Sequence, residues 1–163
     1  MLFYSFVIIK GVVMTTCLTE KLKELGYDYE PAGLKVHGFH QAVRTGNLIF
    51  TSGQVSALGD VKFQGKVGQE VDLETAYKAA ELCAYRCLQA VGAIDDVNKI
   101  KRVVKVLGMV NVAEGFHNTS GVINGATDFF NKLFDDNHAR SAVGMVIPND
   151  WAVEVEIVVE MED

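Results

Sequence analysis

The chain has 163 residues, of which 49% are hydrophobic and 22% are charged, and it contains only two prolines. This length and composition predict one compact domain with a core of its own, and they argue against a disordered or low-complexity chain. The formal net charge of −6 provides no basic surface that could replace counterions on a phosphate backbone. Nucleic acid is therefore an unfavourable partner.

The three cysteines are Cys17, Cys83 and Cys87. Cys83 and Cys87 lie four residues apart on a predicted helix, a spacing that does not give disulfide geometry, and no second pair of ligands is spaced for zinc. We predict that both pack in the core, with metal binding or redox work as the alternative. An odd number of cysteines without a disulfide pattern favours a reducing compartment, so we expect a cytoplasmic protein.

The first 13 residues are apolar apart from Lys10. This segment is too short to span a bilayer, and it lacks both a basic start and an A-x-A cleavage site. We interpret residues 1–17 as an N-terminal extension and residues 18–163 as the domain. Met14 could serve as an alternative start, and an extra strand or a weak anchor are open alternatives for the extension.

The first half of the chain predicts a short helix, a hairpin, a loop and a long helix. Thr19 caps a short helix that reaches Leu25, and Gly46-Asn47 joins two β-rich runs between residues 36 and 55. Residues 56–70 are rich in glycine and follow neither period, which predicts a mobile loop. A helix from residue 72 to 92 carries a stripe of mostly small apolar side chains and should lie close to a sheet.

The second half predicts a central strand, a second helix and two final strands. The strand at 102–112 is apolar on both faces, with Val104 and Val106 on the same face, so a helix should cover one side and either a second layer or another subunit the other. An amphipathic helix starts near Val122, and strands follow at 141–147 and 152–161. This order predicts an α+β domain with two helices on one face of a mixed sheet.

Two charged residues of the last strands are candidates for chemistry. Arg140 stands at the edge of a predicted strand and offers a planar fork of donors that suits a carboxylate. The alternative is an ordinary ion pair with one of the 21 acidic side chains. Glu154 points, with Glu156 and Glu160, away from a buried face, and here the alternative is an ordinary solvated surface.

Several segments together resemble the reactive-intermediate deaminase family RidA, also called YjgF. The segments occur in the order found in the family and together span residues 36–160. The variant residues around Asn124 and Ala142 suggest a less characterised branch. The segments are Gln41-Ala42-Val43 with Ser52-Gly53-Gln54, the 72–92 helix ending at Gly92, Asn124 before Phe129-Phe130, and Ala139-Arg140-Ser141 with Ile147-Pro148 and Val153-Glu154-Val155-Glu156.

The resemblance implies a chorismate-mutase-like α+β fold and homotrimers with a site in each cleft between subunits. It also implies hydrolysis of enamines or imines such as 2-aminoacrylate to 2-keto acids and ammonia, with neither cofactor nor metal. In such a hydrolase Arg140 would hold the substrate carboxylate, and Glu154 would orient a water or receive a proton. The partners would be a small carboxylate and further copies of the chain, with no nucleic acid and no membrane. The substrate-binding residues would be Phe39, Ser52, Asn124 and Ala142.

Two residues depart from the family pattern. Phe39 stands where a tyrosine is common, so the hydrogen bond of the phenol is lost. Ala142 stands where a cysteine is common, although a contact through the backbone could survive. These changes leave open a non-catalytic trimer that binds or senses small carboxylates. His40 and His138 could lie near the cleft, with loop or packing duty as the alternative to a chemical role.

Overall fold

The computed structural model of the protein describes residues 16–33 and 35–162. Predictions for residues 1–15 lie outside these residues, and the division at residue 17 stays a prediction. The described part contains three α-helices and ten strands: α1 (Leu18–Glu24), β1 (Lys35–Val36), β2 (Phe39–His40), β3 (Ala42–Thr45), β4 (Leu48–Thr51), β5 (Gln54–Val55), β6 (Ala57–Leu58), β7 (Val61–Lys62), α2 (Leu73–Gly92), β8 (Ile100–Asn111), α3 (Thr119–Leu133), β9 (Ala139–Met145) and β10 (Val153–Met161). No helix in these residues is long and apolar enough to cross a membrane.

The main sheet has the order β3-β4-β10-β8-β9, and the short β5 also pairs with β10. Its pairs are antiparallel except for β9, which runs parallel to β8. A parallel neighbour requires a crossover, and α3 supplies it. The last two strands therefore lie on opposite sides of β8. The predicted mixed α+β fold is confirmed.

Both long helices cover the same face of the sheet. The helix α2 contacts β4 and β10, whereas α3 contacts β8 and β9, and the two helices pack against each other. Asp72 caps α2 as predicted, because its carboxylate accepts the backbone N–H of Thr75 at 2.7 Å. Cys83 and Cys87 are fully buried in this layer, which confirms their predicted packing in the core.

The first helix begins earlier than predicted. It starts at Leu18, and Cys17 rather than Thr19 occupies the N-cap position. The Glu20 carboxylate accepts the backbone N–H of Cys17 at 3.0 Å, which satisfies one of the donors that a helix leaves unpaired at its start. The acidic residue at the third helical position therefore decides where the helix begins.

The mobile loop predicted at 56–70 is wrong for much of its length. Residues 57–62 form the β6–β7 ribbon. Farther along, the Gly65 amide donates to Asp150 at 2.8 Å and the Val67 amide donates to Asn111 at 2.7 Å. These bonds join the segment to the main sheet, and they depend on distant partners that local sequence patterns do not reveal.

The predicted faces of the central strand need one correction. A register shift in β8 places Val104 between the pairs that Val103 and Lys105 make with β10. Val103 is consequently buried and Val104 is only half-buried, whereas the alternation placed Val104 rather than Val103 on the face of the buried Val106. A β-bulge adds one residue to one strand and so changes the face on which the earlier residues lie.

The face of the sheet opposite the helices carries apolar side chains that stay exposed in the single chain. They follow two rows across the sheet, because Val43 pairs with Phe50 and Val143 pairs with Met109. Val43 is 54% exposed and Phe50 is 40% exposed. Exposed apolar rows of this kind mark a surface that another molecule covers.

The close approach of α2 and α3 gives a test of the fold. A Cβ atom at Gly125 would lie 2.0 Å from the carbonyl oxygen of Tyr77, so Gly125→Ala must push the two helices apart. We expect it to lower the free energy of unfolding by about 1–3 kcal/mol, measured by denaturant titration. Gly33→Ala is the control, because a Cβ there meets nothing within 4 Å. Equal stability of the two variants would contradict this packing.

Candidate functional site

Arg140 lies on β9, with its side chain on the helix side of the sheet. Its register partner on β8 is Val106, which is buried beneath the helices. The guanidinium Nη1 donates to Asn124 Oδ1 at 2.8 Å and to Thr127 Oγ1 at 3.0 Å. Asn124 and Thr127 lie three residues apart on α3, so they share one face of that helix. The contact joins the edge strand to the crossover helix.

The acceptors of Arg140 are both neutral. Within the described residues no carboxylate lies within ion-pair distance of this side chain, so the alternative of a local ion pair is wrong for this part of the chain. In the same residues the Nε and Nη2 groups of Arg140 have no hydrogen-bond partner. The guanidinium is thus fixed by Nη1 while its charge is uncompensated and a two-pronged edge is open to an anion.

His138 is connected to the same cluster. Its Nε2 lies 3.2 Å from Thr127 Oγ1, and its ring packs edge-on against Phe130 with 5.9 Å between the centroids. The buried Nδ1 has no partner among the described residues. Burial, and secondly the charge of Arg140, lower the pKa of His138 below its usual value of 6.5. This environment therefore favours the neutral imidazole.

Glu154 lies near the start of β10, with its side chain on the open face of the sheet. Its register partners are Met109 on β8 and Val55 on β5. Burial, and secondly the nearby charge of Glu156, raise the pKa of Glu154 above its usual value of 4.5. A carboxyl group with a raised pKa is suited to exchanging a proton close to neutral pH.

Gly53 makes room for this carboxyl group. A Cβ atom at Gly53 would lie 1.8 Å from Glu154 Oε1, so the carboxylate lies directly over the backbone of residue 53. The neighbouring Ser52 donates from Oγ to the carbonyl of His40 at 2.7 Å. Ser52, Gly53, Glu154 and Glu156 are together called the glutamate cluster below.

The alternation of side chains along each strand places Arg140 and Glu154 on opposite faces of the sheet. Val106 pairs with Ile157 on one side and with Arg140 on the other, so these three side chains share the helix face. Glu154 precedes Ile157 by three residues and therefore points to the opposite face. One chain does not bring Arg140 and Glu154 together. If both act on one substrate, each must come from a different copy.

The remaining candidates divide between these two places. Asn124 bonds directly to Arg140, and Ala142 follows Arg140 by two residues on the same strand and face. The Ala142 carbonyl accepts the hydroxyl of Thr119 at 3.2 Å, so a backbone contact with a ligand has to compete with this bond. Phe39 is 52% exposed on β2, beside the His40 carbonyl that Ser52 binds.

Arg140, Asn124, Thr127 and His138 are called the arginine cluster below.

A cleft of about 460 Å³ lies elsewhere, between α1, the start of β8 and the end of α3. Lys21, Asn98, Leu133, Asp136 and Glu162 are among its lining residues, and neither Arg140 nor Glu154 is one of them. Among the described residues no group of three or more histidine, cysteine, aspartate or glutamate side chains could hold a metal ion. The candidate site is therefore defined by the two clusters.

Comparison with known proteins identifies the family. The sequence model described as Endoribonuclease L-PSP matches residues 31–161. Protein TCP17 of Trypanosoma cruzi is 31% identical over 160 residues, which cover 94% of this chain and 99% of that protein. The chain belongs to the Endoribonuclease L-PSP family, the family of YjgF and RidA. This confirms the resemblance found in the sequence.

Solved structures of the family agree with the fold. The protein Atu1372 of Agrobacterium tumefaciens, described as having unknown function, has a TM-score of 0.80 and 36% identity, with coverage of 90% of this chain and 94% of that chain. The YjgF gene product of E. coli has a TM-score of 0.58 at 24% identity, and E. coli TdcF with bound serine has 0.56 at 20%; each comparison covers 80% of this chain and 94% of the other. The last two show the fold alone.

Thr127 is the member of the arginine cluster that the sequence did not predict. The helix was identified from its apolar residues, whereas Thr127 lies on the half-buried flank that faces β9. Its spacing of three residues from Asn124 was the available signal. Gly53 belongs to the Ser52-Gly53-Gln54 segment, but its role beneath Glu154 depends on the pairing of β5 with β10, which no local pattern shows.

The position of Gly53 gives a test of the glutamate cluster. We expect Gly53→Ala to displace the Glu154 carboxyl group towards solvent and so to lower its pKa towards the ordinary value, measured by NMR titration of the side-chain carboxyl. The carboxyl is the flexible end of a side chain, so the free energy of unfolding should change by no more than about 0.5 kcal/mol. Gly33→Ala should leave the titration of Glu154 unaltered. An unchanged pKa in Gly53→Ala would show that residue 53 does not position this carboxyl group.

Proposed function

We propose that the protein is a cofactor-free enamine/imine deaminase that converts 2-aminoacrylate-type intermediates to 2-keto acids and ammonia. The observation that carries this proposal is the guanidinium of Arg140, which is fixed by two neutral acceptors and has no charge partner in the described residues. An anion that reaches this edge gains two parallel charge-assisted hydrogen bonds. The carboxylate of a small 2-imino or 2-amino acid has the right geometry.

The glutamate cluster would supply the proton transfers. Glu154 in its protonated form gives its proton to the methylene carbon of 2-aminoacrylate, which becomes the 2-imino acid. The resulting carboxylate then accepts a proton from water as the hydroxyl adds to C2, and the carbinolamine releases ammonia to leave pyruvate. The raised pKa of Glu154 favours this exchange, because the group holds a proton closer to neutral pH than an ordinary glutamate. These intermediates already hydrolyse in water, so positioning and one proton donor suffice.

The site would be shared between copies of the chain, as a homotrimer with clefts between subunits. Arg140 and Glu154 point to opposite faces of one sheet, and the open face carries exposed apolar rows that include Val43 and Phe50. A second copy seated on that face would cover the apolar surface and bring its own arginine cluster to Glu154. The serine bound in the E. coli TdcF structure supports a site for a small amino acid.

The alternative is a trimer that binds small carboxylates without turning them over. The specific observation in its favour is Phe39, which provides no hydroxyl where a tyrosine is common in the family. RNA cleavage, which the family description names, is opposed by the net charge of −6. The three functions differ in what they require of Arg140, so one pair of variants separates them.

The deaminase is tested with 2-aminoacrylate generated by a serine dehydratase, while the appearance of pyruvate is followed with and without the protein. We expect acceleration by the wild type and a loss of roughly 10- to 100-fold in kcat/KM for Arg140→Ala, the value of a charged hydrogen-bonded contact. Arg44→Ala is the matched control, because Arg44 lies on β3 at the opposite edge of the sheet and is paired with Asp95.

Full activity of Arg140→Ala would refute the clamp. Pyruvate binding without any acceleration would favour the non-catalytic alternative. Cleavage of RNA by purified protein, insensitive to the loss of Arg140, would favour the nuclease named in the family description.

Mixed oligomers test the shared site. Arg140→Ala and Glu154→Gln should each keep at most about a tenth of wild-type activity alone, but a refolded equal mixture should regain roughly a quarter, since one cleft in four then combines an intact Arg140 with an intact Glu154. If both residues act within one chain, every site of the mixture lacks one of them and no activity returns. Wild-type protein taken through the same refolding is the control, because it shows how much activity the procedure recovers.

A further inference from the structure

We propose that His138 is a positioning residue which, through the hydroxyl of Thr127, couples proton uptake to carboxylate binding at Arg140. This inference rests on Arg140 as the carboxylate clamp of the proposed function, but it does not depend on turnover. It assigns His138 a regulatory role in the site and makes the ligand affinity of the protein depend on pH.

The hydrogen bond between Arg140 and Thr127 has a fixed direction. An arginine side chain can only donate, so Thr127 Oγ1 accepts from Arg140 Nη1 at 3.0 Å. In the tautomer of His138 that carries its proton on Nδ1, the hydroxyl of Thr127 donates to Nε2, 3.2 Å away. The charge of Arg140 polarises the hydroxyl and strengthens it as a donor. This chain of bonds stabilises an imidazole that accepts at Nε2, and such an imidazole is neutral.

The surroundings of His138 leave Arg140 as the charge that faces it. Thr127 and Phe130 face the ring from α3 and carry no charge. On the turn before β9, the carboxylate of Asp136 is bonded to Arg102. Two influences therefore act on the protonation of His138. Burial is the larger and the charge of the Arg140 guanidinium is the second, and both lower the pKa of His138.

A carboxylate bound by Arg140 removes one of these two influences. The negative charge offsets the guanidinium, so the imidazole accepts a proton more readily in the complex than in the free protein, and its pKa rises on binding. By linkage the complex takes up protons. Affinity for the carboxylate must then increase as the pH falls through the pKa of His138, in the range below about 6.5. The ligand itself stays ionised down to about pH 4.5.

The test is the binding of pyruvate, used as a carboxylate that is not turned over, measured by calorimetry from pH 5.0 to 7.5 in buffers of different ionisation enthalpy. We expect the wild type to bind about threefold more tightly at the acidic end, which corresponds to about half a pKa unit, with net proton uptake. His138→Gln should bind with a flatter pH profile and less proton uptake. Any effect of Glu154 on the profile is common to both proteins and cancels in this comparison.

One further pair of variants and one control variant separate positioning from simple folding effects. Thr127→Ser keeps the bridging hydroxyl and should keep the wild-type profile, whereas Thr127→Val removes it, so that both the affinity and the His138-dependent part of the profile fall. His117→Gln changes an exposed histidine in the loop before α3 and should behave like the wild type. Melting temperatures show whether each variant is folded, and the Thr127→Ser and Thr127→Val pair tests the proposal even if His138→Gln does not fold.

The outcomes are distinct. Pyruvate binding with the same pH profile in the wild type and in His138→Gln, or in Thr127→Ser and Thr127→Val, would overturn the coupling and leave the clamp in place. Absence of binding at every pH would overturn the clamp and the coupling together. Linked proton uptake without acceleration of 2-aminoacrylate hydrolysis would refute the deaminase and support the coupling.

Discussion

A single cation held by neutral acceptors is the feature on which the functional argument depends. Arg140 crosses from β9 to α3 and is bonded there to an amide oxygen and a hydroxyl, neither of which cancels its charge. A half-buried charge without a counterion is costly, and an anionic ligand at this edge would offset that cost. The parallel crossover that places α3 beside β9 therefore determines the site as well as the topology.

The separation of Arg140 and Glu154 follows from the period of two in a strand. Within one sheet the register fixes which side chains share a face, and no rotamer can bring a residue from one face to the other. If Arg140 and Glu154 act on one substrate, the two residues must come from different copies of the chain. The same open face exposes Val43 and Phe50, whose burial would favour such an assembly. The burial of the exposed apolar side chains and the proposed chemistry would thus both require a second copy of the chain.

Much of the fold could be predicted from local patterns, because the long helix, the hairpin and the last strand each bury one regular face. The errors lie where partners are distant in sequence. The bulge at Val104 depends on pairing with β10, and the bonds of Gly65 and Val67 depend on carbonyl groups more than 40 residues away along the chain. Periodicity describes a single element, so it cannot report features that two elements produce together.

In the candidate site, too, the identity of some residues could be predicted from the sequence, whereas their arrangement could not. Arg140 and Glu154 could be selected by their chemistry and their place in a motif, yet their opposite orientations required the registers of three strands. Thr127 carries no signal of its own, since a threonine on the flank of an amphipathic helix is ordinary. It becomes a functional candidate only because one hydroxyl lies within hydrogen-bond distance of both a guanidinium and an imidazole. A hydroxyl in that position couples the guanidinium to the imidazole electrostatically. Binding of an anion at Arg140 and protonation of His138 are therefore linked equilibria.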